Sequence, residues 1–365
     1  MGRDRIHKIT CIFFALFFAG GFLLCVFLPK KSYSEFERRK LAAMPSCTWE
    51  QVWSGRFMSD FEKYAVDTFP GRDQLRTWKA MTALYAFGRK DNNGIYGFEG
   101  SLSAVEYPMN EASFTRALER FQAVCKEYLT EENRVYLSVI PDKNCFLAEE
   151  SGHLAMDYKG LEAWMEQKAE FAEYIPISDL LEKDDYYRTD THWRQERITD
   201  VANRLAEGMG TSLSNDYEAH SLETDFYGVY YGQAALPWKP DQLQYLTNGA
   251  IDGCRVYDWQ NKMEIPVYNM EAASGRDPYE MFLSGSLSLL TIENPKGEKG
   301  KKLIVFRDSF GSSIAPLLIS GYEQITLVDI RYIPREHLGR YIDFTGCDVL
   351  FLYSTMVLNH SETLR

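Results

Sequence analysis

The 365-residue sequence contains no C-x-x-C pair, and two of its seven cysteines, Cys11 and Cys25, fall inside one apolar run. The other five, Cys47, Cys125, Cys145, Cys254 and Cys347, are odd in number and irregularly spaced. That pattern argues against a disulfide framework and against a thiolate zinc site; it allows a bridge or two and implies no metal. Basic residues are also in deficit: 40 Lys and Arg face 52 Asp and Glu, a net charge of −12. The first 31 residues hold five bases against one acid, leaving 35 against 51 for the rest, a net −16. Such a body is repelled by phosphate backbones, and no basic stripe with interleaved aromatics offsets this, so nucleic-acid binding is excluded. No internal repeat is present. Apolar residues are not scarce: 45% hydrophobic, 14% aromatic and 25% charged is ordinary globular composition, which rules out disorder as the global answer.

There is one long uncharged run, the 20 residues from Ile9 to Leu28, bounded by Lys8 and by Pro29-Lys30-Lys31. At helical rise it spans about 30 Å, the thickness of a bilayer's hydrocarbon layer. A cleaved signal peptide has a shorter apolar region, and only Ser32-Tyr33-Ser34 offers a weak cleavage site. Residues 1–31 therefore read as a transmembrane anchor, with cleavage as the alternative. The flanking charges are similar on both sides and barely decide orientation. The default is a short inner tail with the body outside the cell. Residues 32–52, with Glu37-Arg38-Arg39-Lys40, read as a juxtamembrane linker that packs little.

Beyond the linker, apolar spacing over 53–87, broken at Phe69-Pro70-Gly71, predicts two helices. Turn signals at Asn92-Asn93-Gly94 and Gly97-Phe98-Glu99-Gly100 bracket a short hairpin at Ile95-Tyr96. A helix over 111–128 is followed by a buried strand over 134–140, ending at Pro141-Asp142-Lys143-Asn144. Helices over 161–174 and 195–209 flank the extended Ile175-Pro176-Ile177. Residues 211–300, rich in Tyr and Gly, read as an inserted, mostly β region. Strands over 303–306, 324–328 and 349–353 alternate with helical stretches near 313–318 and 334–341. The rhythm is that of an α/β domain over 53–353, a parallel sheet flanked by helices, with 354–365 as a C-terminal tail.

Two segments at the carboxyl edge of such a sheet carry chemistry. In Thr189-Asp190-Thr191-His192-Trp193 a carboxylate stands two residues before an imidazole, close enough to hold one ring nitrogen and leave the other as a base. In Phe306-Arg307-Asp308-Ser309-Phe310-Gly311 a strand runs into a helix through a serine placed as a nucleophile. Taken singly, Ser309 reads as a helix cap and Asp190 with His192 as a structural pair. Together they supply nucleophile, base and orienting carboxylate. Asp190, His192 and Asp184 or Asp185 as ligands of a metal-dependent hydrolase form a weaker alternative. Lys143 and Asn144 follow a sheet strand as substrate or oxyanion donors, or as a solvated turn. Tyr227, Tyr230 and Tyr231 are placed to stack on sugar faces, or simply to pack the inserted region. His153, His220, His337 and His360 have no partner at an informative spacing and read as structural. Ser286 lacks the elbow pattern of a nucleophile.

Asp190-Thr191-His192-Trp193 resembles the signature of the DHHW family and of the related alginate O-acetyltransferases, whose catalytic domains are SGNH hydrolase-like. Phe69-Pro70-Gly71-Arg72, Asn93-Gly94-Ile95-Tyr96 with Gly100-Ser101-Leu102, Asp225-Phe226-Tyr227-Gly228 and Arg307-Asp308-Ser309-Phe310-Gly311 follow in the family's order, over roughly residues 33–353. The resemblance implies an SGNH-like fold with Ser309 as nucleophile, His192 as base and Asp190 as its partner. Thr191 departs from the second signature residue. Arg307 stands where SGNH esterases usually have Gly, implying a differently shaped oxyanion hole and a candidate substrate contact. It further implies a membrane-tethered or exported protein that acetylates an extracellular polysaccharide, fed by a multi-pass membrane-bound O-acyltransferase. No cofactor is needed. The expectation is therefore a cell-surface carbohydrate O-acetyltransferase or acetylesterase using an acyl-serine. The alternative is a non-catalytic polysaccharide-binding or scaffold protein of an acetylation system.

Overall fold

A computed structural model describes residues 3–34 and 36–365. Met1 and Gly2 of the expected anchor, and Glu35 of the expected linker, lie outside the described residues. The chain divides into two compact units: residues 1–92 with 235–237, and residues 93–234 with 238–365. The start expected for the catalytic domain, residue 53, falls inside the first unit.

In the first unit, helix α1 (Arg3–Phe27) contains one stretch, Arg5–Phe27, long and apolar enough to cross a membrane. Strands β1 (Tyr33–Ser34) and β2 (Arg39–Lys40) then pair antiparallel. Three helices follow where two were expected: α2 (Trp49–Trp53), α3 (Arg56–Asp67) and α4 (Arg72–Met81), the last running into a π turn over Thr82–Ala86. Gly55 and Gly71, at φ +73° and +70°, start α3 and α4 in the left-handed region that glycine tolerates. The linker is less loose than its charge suggests. Arg39 makes a two-pronged contact with Asp67 at 2.8 and 2.6 Å, holding that carboxyl down at about 2, and Arg72 reaches Glu37 at 2.6 Å.

The second unit begins with the expected hairpin, β3 (Ile95–Phe98) against β4 (Ser101–Ala104). Helix α5 (Glu111–Tyr128) is capped by the Asn110 side chain and buries Phe114, Ala117, Leu118, Phe121 and Val124 along one stripe. Next come β5 (Val135–Ile140), α6 (Asn144–Ser151), α7 (Tyr158–Lys168) and β6 (Glu173–Tyr174), then α8 (Thr199–Gly208). The expected helix over 161–174 thus stops at Lys168, and the chain turns into an edge strand. The hairpin β7 (Glu218–Phe226) and β8 (Asp241–Thr247) encloses α9 (Val229–Ala234). After it come β9 (Arg255–Asp258), β10 (Met263–Ile265), α10 (Met270–Ala273) and β11 (Leu289–Glu293). The chain finishes with β12 (Lys302–Arg307), α11 (Gly311–Leu318), β13 (Gln324–Val328), β14 (Asp348–Ser354) and α12 (Thr355–Asn359).

Eight strands form the central sheet, in the order β10-β9-β11-β13-β12-β14-β5-β6. The five from β13 to β6 run parallel, while β11, β9 and β10 join antiparallel. Two-residue alternation explains how the sheet is buried on both faces. Leu303, Val305, Leu350 and Leu352 point into one core with Ile314 and Leu205. Ile304, Phe306, Val349 and Phe351 point into the other with Phe114 and Phe121.

Two expectations are corrected by this topology. The 211–300 region is mostly β as read but is not a separate insertion, because three of its strands extend the main sheet, with Val256, Leu290 and Ile292 in the same core. Their runs are too short for the sequence to show which sheet they join. Residues 354–365 are also no loose tail: the Ser354 side chain caps α12, and Ser113 and Ser361 exchange buried hydrogen bonds at 2.7–2.9 Å.

Candidate active site

Strand β12 lies between β13 and β14 in the parallel part of the sheet, so its carboxyl end opens at the centre of one sheet edge. There the Asp308 carboxylate accepts from Phe310 N–H at 3.0 Å and from Ser354 N–H at 2.8 Å, tying the end of β12 to the end of β14. The chain then folds sharply into α11. A Cβ on Gly311 would sit 2.6 Å from Arg307 Cβ, so only glycine allows this close return. Ser309 is held in this turn. Its hydroxyl does not cap the helix; it lies 2.8 Å from His192 Nε2, although 117 residues separate the two in sequence.

The loop that brings His192 there is closed at its base by an antiparallel bridge between Tyr186 and Trp193, with Tyr187 N–H donating to His192 O. Asp241 accepts from Arg188 N–H, Thr189 N–H and the Thr189 hydroxyl at 2.6–2.8 Å, fixing the loop's tip. At the other end the Trp193 indole donates to Ser313 Oγ at 2.8 Å and the Gln195 amide to Ser313 O at 2.7 Å. Both bonds land on α11, the helix that follows Ser309. The His192 loop and Ser309 are thereby fastened to one support.

Asp190 Oδ1 lies 2.6 Å from His192 Nδ1, and Oδ2 accepts from Val229 N–H at 2.8 Å. The Asp190 side chain is 1% exposed, so it stays dry, while His192 keeps 12% and can be reached. Facing a carboxylate, Nδ1 carries the ring proton, which leaves the Nε2 lone pair toward the Ser309 hydroxyl. That arrangement can take the hydroxyl proton as Oγ attacks a carbonyl carbon. Tyr279 stacks on the imidazole at 3.8 Å and 12°, with its hydroxyl on Ser313 Oγ at 2.8 Å, restricting the ring's tilt.

Lys143 is not in a solvated turn. Fully buried, its Nζ donates to the carbonyls of Tyr187 at 2.5 Å and Asp190 at 2.8 Å, bracing the loop that carries Asp190 and His192. Burial pushes its ammonium down to about 7, against the upward pull of Asp241 and Asp190. From pH 7 up to the ordinary lysine value the unfolded chain binds a proton that the folded one releases, so this residue makes stability rise with pH across that window. Lys143→Met leaves those carbonyls unpaired. It should cost about 1–3 kcal/mol in chemical denaturation at pH 7 and flatten that rise.

Asn144 is also buried, accepting from the Tyr96 hydroxyl at 2.8 Å and donating to Leu154 O at 3.0 Å. Arg307 is fully buried and donates through Nη2 to the carbonyls of Gly285 and Leu287. Tyr230 is buried and donates to Thr191 Oγ1 at 3.2 Å, supporting the loop. Tyr227 and Tyr231 reach the surface with ring centroids 4.5 Å apart. Asp185 gives its carboxylate to Glu182 N–H and Arg197, so the metal alternative is not assembled among the described residues.

Two supporting residues, Asp241 and Tyr279, stand in stretches without a motif. Gly228 ends the Asp225-Phe226-Tyr227-Gly228 stretch noted above, but its role shows only in three dimensions. A Cβ there would lie 2.3–2.4 Å from Asp190 Cβ, Asp190 Cα and Thr189 O. Gly228→Ala must therefore displace Asp190. It should cost about 1–3 kcal/mol of stability and about 100-fold in the rate of activated-ester cleavage, measured on the same folded sample.

The chain is thus an α/β protein in which a serine, a histidine and an aspartate meet at the carboxyl edge of a mostly parallel central sheet. No protein-family model matches the chain, and no curated protein does. Solved structures do. A DHHW family protein from Eubacterium siraeum DSM 15702 is similar with a TM-score of 0.60 at 20% identity, over 75% of this chain and 95% of that one. Bacillus cereus PatB1 with a sulfonyl adduct gives a TM-score of 0.57 at 16% identity, over 72% and 97%. The O-acetyltransferase domain of Pseudomonas putida AlgJ gives 0.44 at 14%, over 73% and 92%. The first two likenesses establish the shared fold, and the DHHW family protein among them is of the family whose signature the sequence resembles.

Proposed function

We propose that this chain is a carbohydrate O-acetyltransferase or acetylesterase, anchored in the cell membrane by α1 with its second unit outside, working through an acyl-Ser309 intermediate. The contact between Ser309 Oγ and His192 Nε2, backed by Asp190, carries this reading. The hydroxyl proton passes to Nε2 as Oγ bonds the acyl carbon, and the carbonyl electron pair moves onto oxygen. The Ser309 N–H, at the turn into α11, is the natural donor to that oxyanion. Collapse expels the donor's alkoxide, which takes the proton from His192. A sugar hydroxyl or water then gives its proton to His192, attacks the acyl-serine and releases Ser309. Transferase and esterase differ only in that second nucleophile. Tyr227 and Tyr231 offer aromatic faces to a sugar, and a multi-pass membrane-bound O-acyltransferase is the proposed source of acetyl groups.

PatB1, which shares the fold, has been solved with a sulfonyl adduct. Sulfonyl electrophiles mark activated nucleophiles, so a sulfonyl fluoride is the direct probe. The chain should take one label, lost in Ser309→Ala. A folded chain that neither labels nor cleaves an activated acetate ester refutes the enzyme and leaves the polysaccharide-binding scaffold.

A further inference from the structure

We propose that α2, α3 and α4 form a platform that lies on the lipid surface beside the emerging end of α1. The proposal rests on the anchor reading of α1 given above. Each of the three helices leaves an apolar stripe in water. Trp49 and Trp53 on α2 are four residues apart, Phe61 is exposed on α3, and Trp78 on α4 is followed by Tyr85 and Phe87 in and just after the π turn. Trp53 is 83% exposed and Trp78 71%, although each is among the largest apolar side chains available.

The geometry inside this unit says what covers the stripes. Three residues after α1 ends, the Lys30 ammonium donates to the Tyr64 hydroxyl and lies 4.7 Å over that ring, pinning α3 to the end of the span. Leu24, Cys25 and Leu28 share one cleft with Phe69 and Pro70, so the start of α4 abuts it too. If α1 crosses a bilayer, these helices sit at headgroup level. Tryptophan, tyrosine and phenylalanine are the side chains that favour that depth, where an apolar ring meets a wet boundary.

Charge points the same way. Counted from Pro29, where the span ends, residues 29–92 hold 12 bases against 8 acids, a net +4, whereas residues 93–365 hold 25 against 43, a net −18. The cationic part is therefore the part with the apolar stripes, which suits an anionic lipid surface, while the acidic remainder is repelled by it. A soluble protein partner would need no such match to the end of the span.

The test uses the full chain reconstituted in vesicles of phosphatidylcholine and phosphatidylglycerol, part of the phosphatidylcholine carrying bromine near the headgroup end of its acyl chains. None of the seven tryptophans lies in α1, so bromine quenching reports only on residues outside the span. Tryptophan emission should be quenched, and most of the quenching should vanish in the triple variant Trp49→Phe, Trp53→Phe, Trp78→Phe, whose exposed conservative changes keep the fold. If the chain resists alkaline extraction yet the parent is quenched no more than the triple variant, the platform is wrong and the anchor stands; a protein partner would then own the stripes. If alkaline extraction releases the chain, the anchor fails and the platform with it.

Discussion

Ser309→Ala is expected to abolish acyl chemistry while the protein stays folded. The hydroxyl lies against His192 Nε2, and the turn around it is built by Asp308 and Gly311, which the substitution leaves intact. Cleavage of an activated acetate ester should fall by about four to six orders of magnitude, with an unchanged denaturation midpoint. Because nucleophile and base act as one unit, the double variant with His192→Ala should lose no more than Ser309→Ala alone. A Ser309→Ala protein that retains most of its rate would show that another group attacks the carbonyl.

Asp190→Asn should produce the second-largest loss, about 10⁴-fold in turnover. An amide nitrogen turned toward His192 Nδ1 cannot accept its proton, and the ring is driven to the tautomer whose Nε2 holds a hydrogen against Ser309. The amide oxygen can still accept from Val229 N–H, while His192 N–H loses its acceptor at the Oδ1 position. The discriminating measurement is structural integrity beside rate: a near-normal denaturation curve with a collapsed rate assigns the carboxylate to catalysis. An equal loss of both would make Asp190 a mere brace.

The parts of the candidate site were legible in the sequence because they are short and local. Asp190 and His192 are two residues apart, and Ser309 comes just after the apolar run over 303–306, so each half can be found by spacing, but only the two together suggest chemistry. Long, strongly periodic elements such as α5, β5 and β12 were readable for the same reason. What could not be read is how the halves meet. Trp193 and Gln195 reach Ser313 across more than a hundred residues, and Asp241 and Lys143 clamp the loop from remote strands and turns. Lys143 misleads in sequence because Pro141-Asp142-Lys143-Asn144 has the composition of a solvated turn, whereas neighbouring carbonyls replace its water. The strands of 211–300 hide for another reason. Their sheet membership is fixed by backbone pairing with β13 and by cores they share with distant elements, and neither leaves a local period.

The double attachment of the histidine loop to Ser313 also bears on how the protein wears out. With His192 and Ser309 tied to the same short helix, neither can drift alone, and that helix is packed into the main core on all sides. Heating should therefore not yield a population that is intact by spectroscopy but already idle. Loss of turnover and loss of the near-ultraviolet signal should trace one curve, and gradual ageing of the site ahead of the body has no route in this architecture.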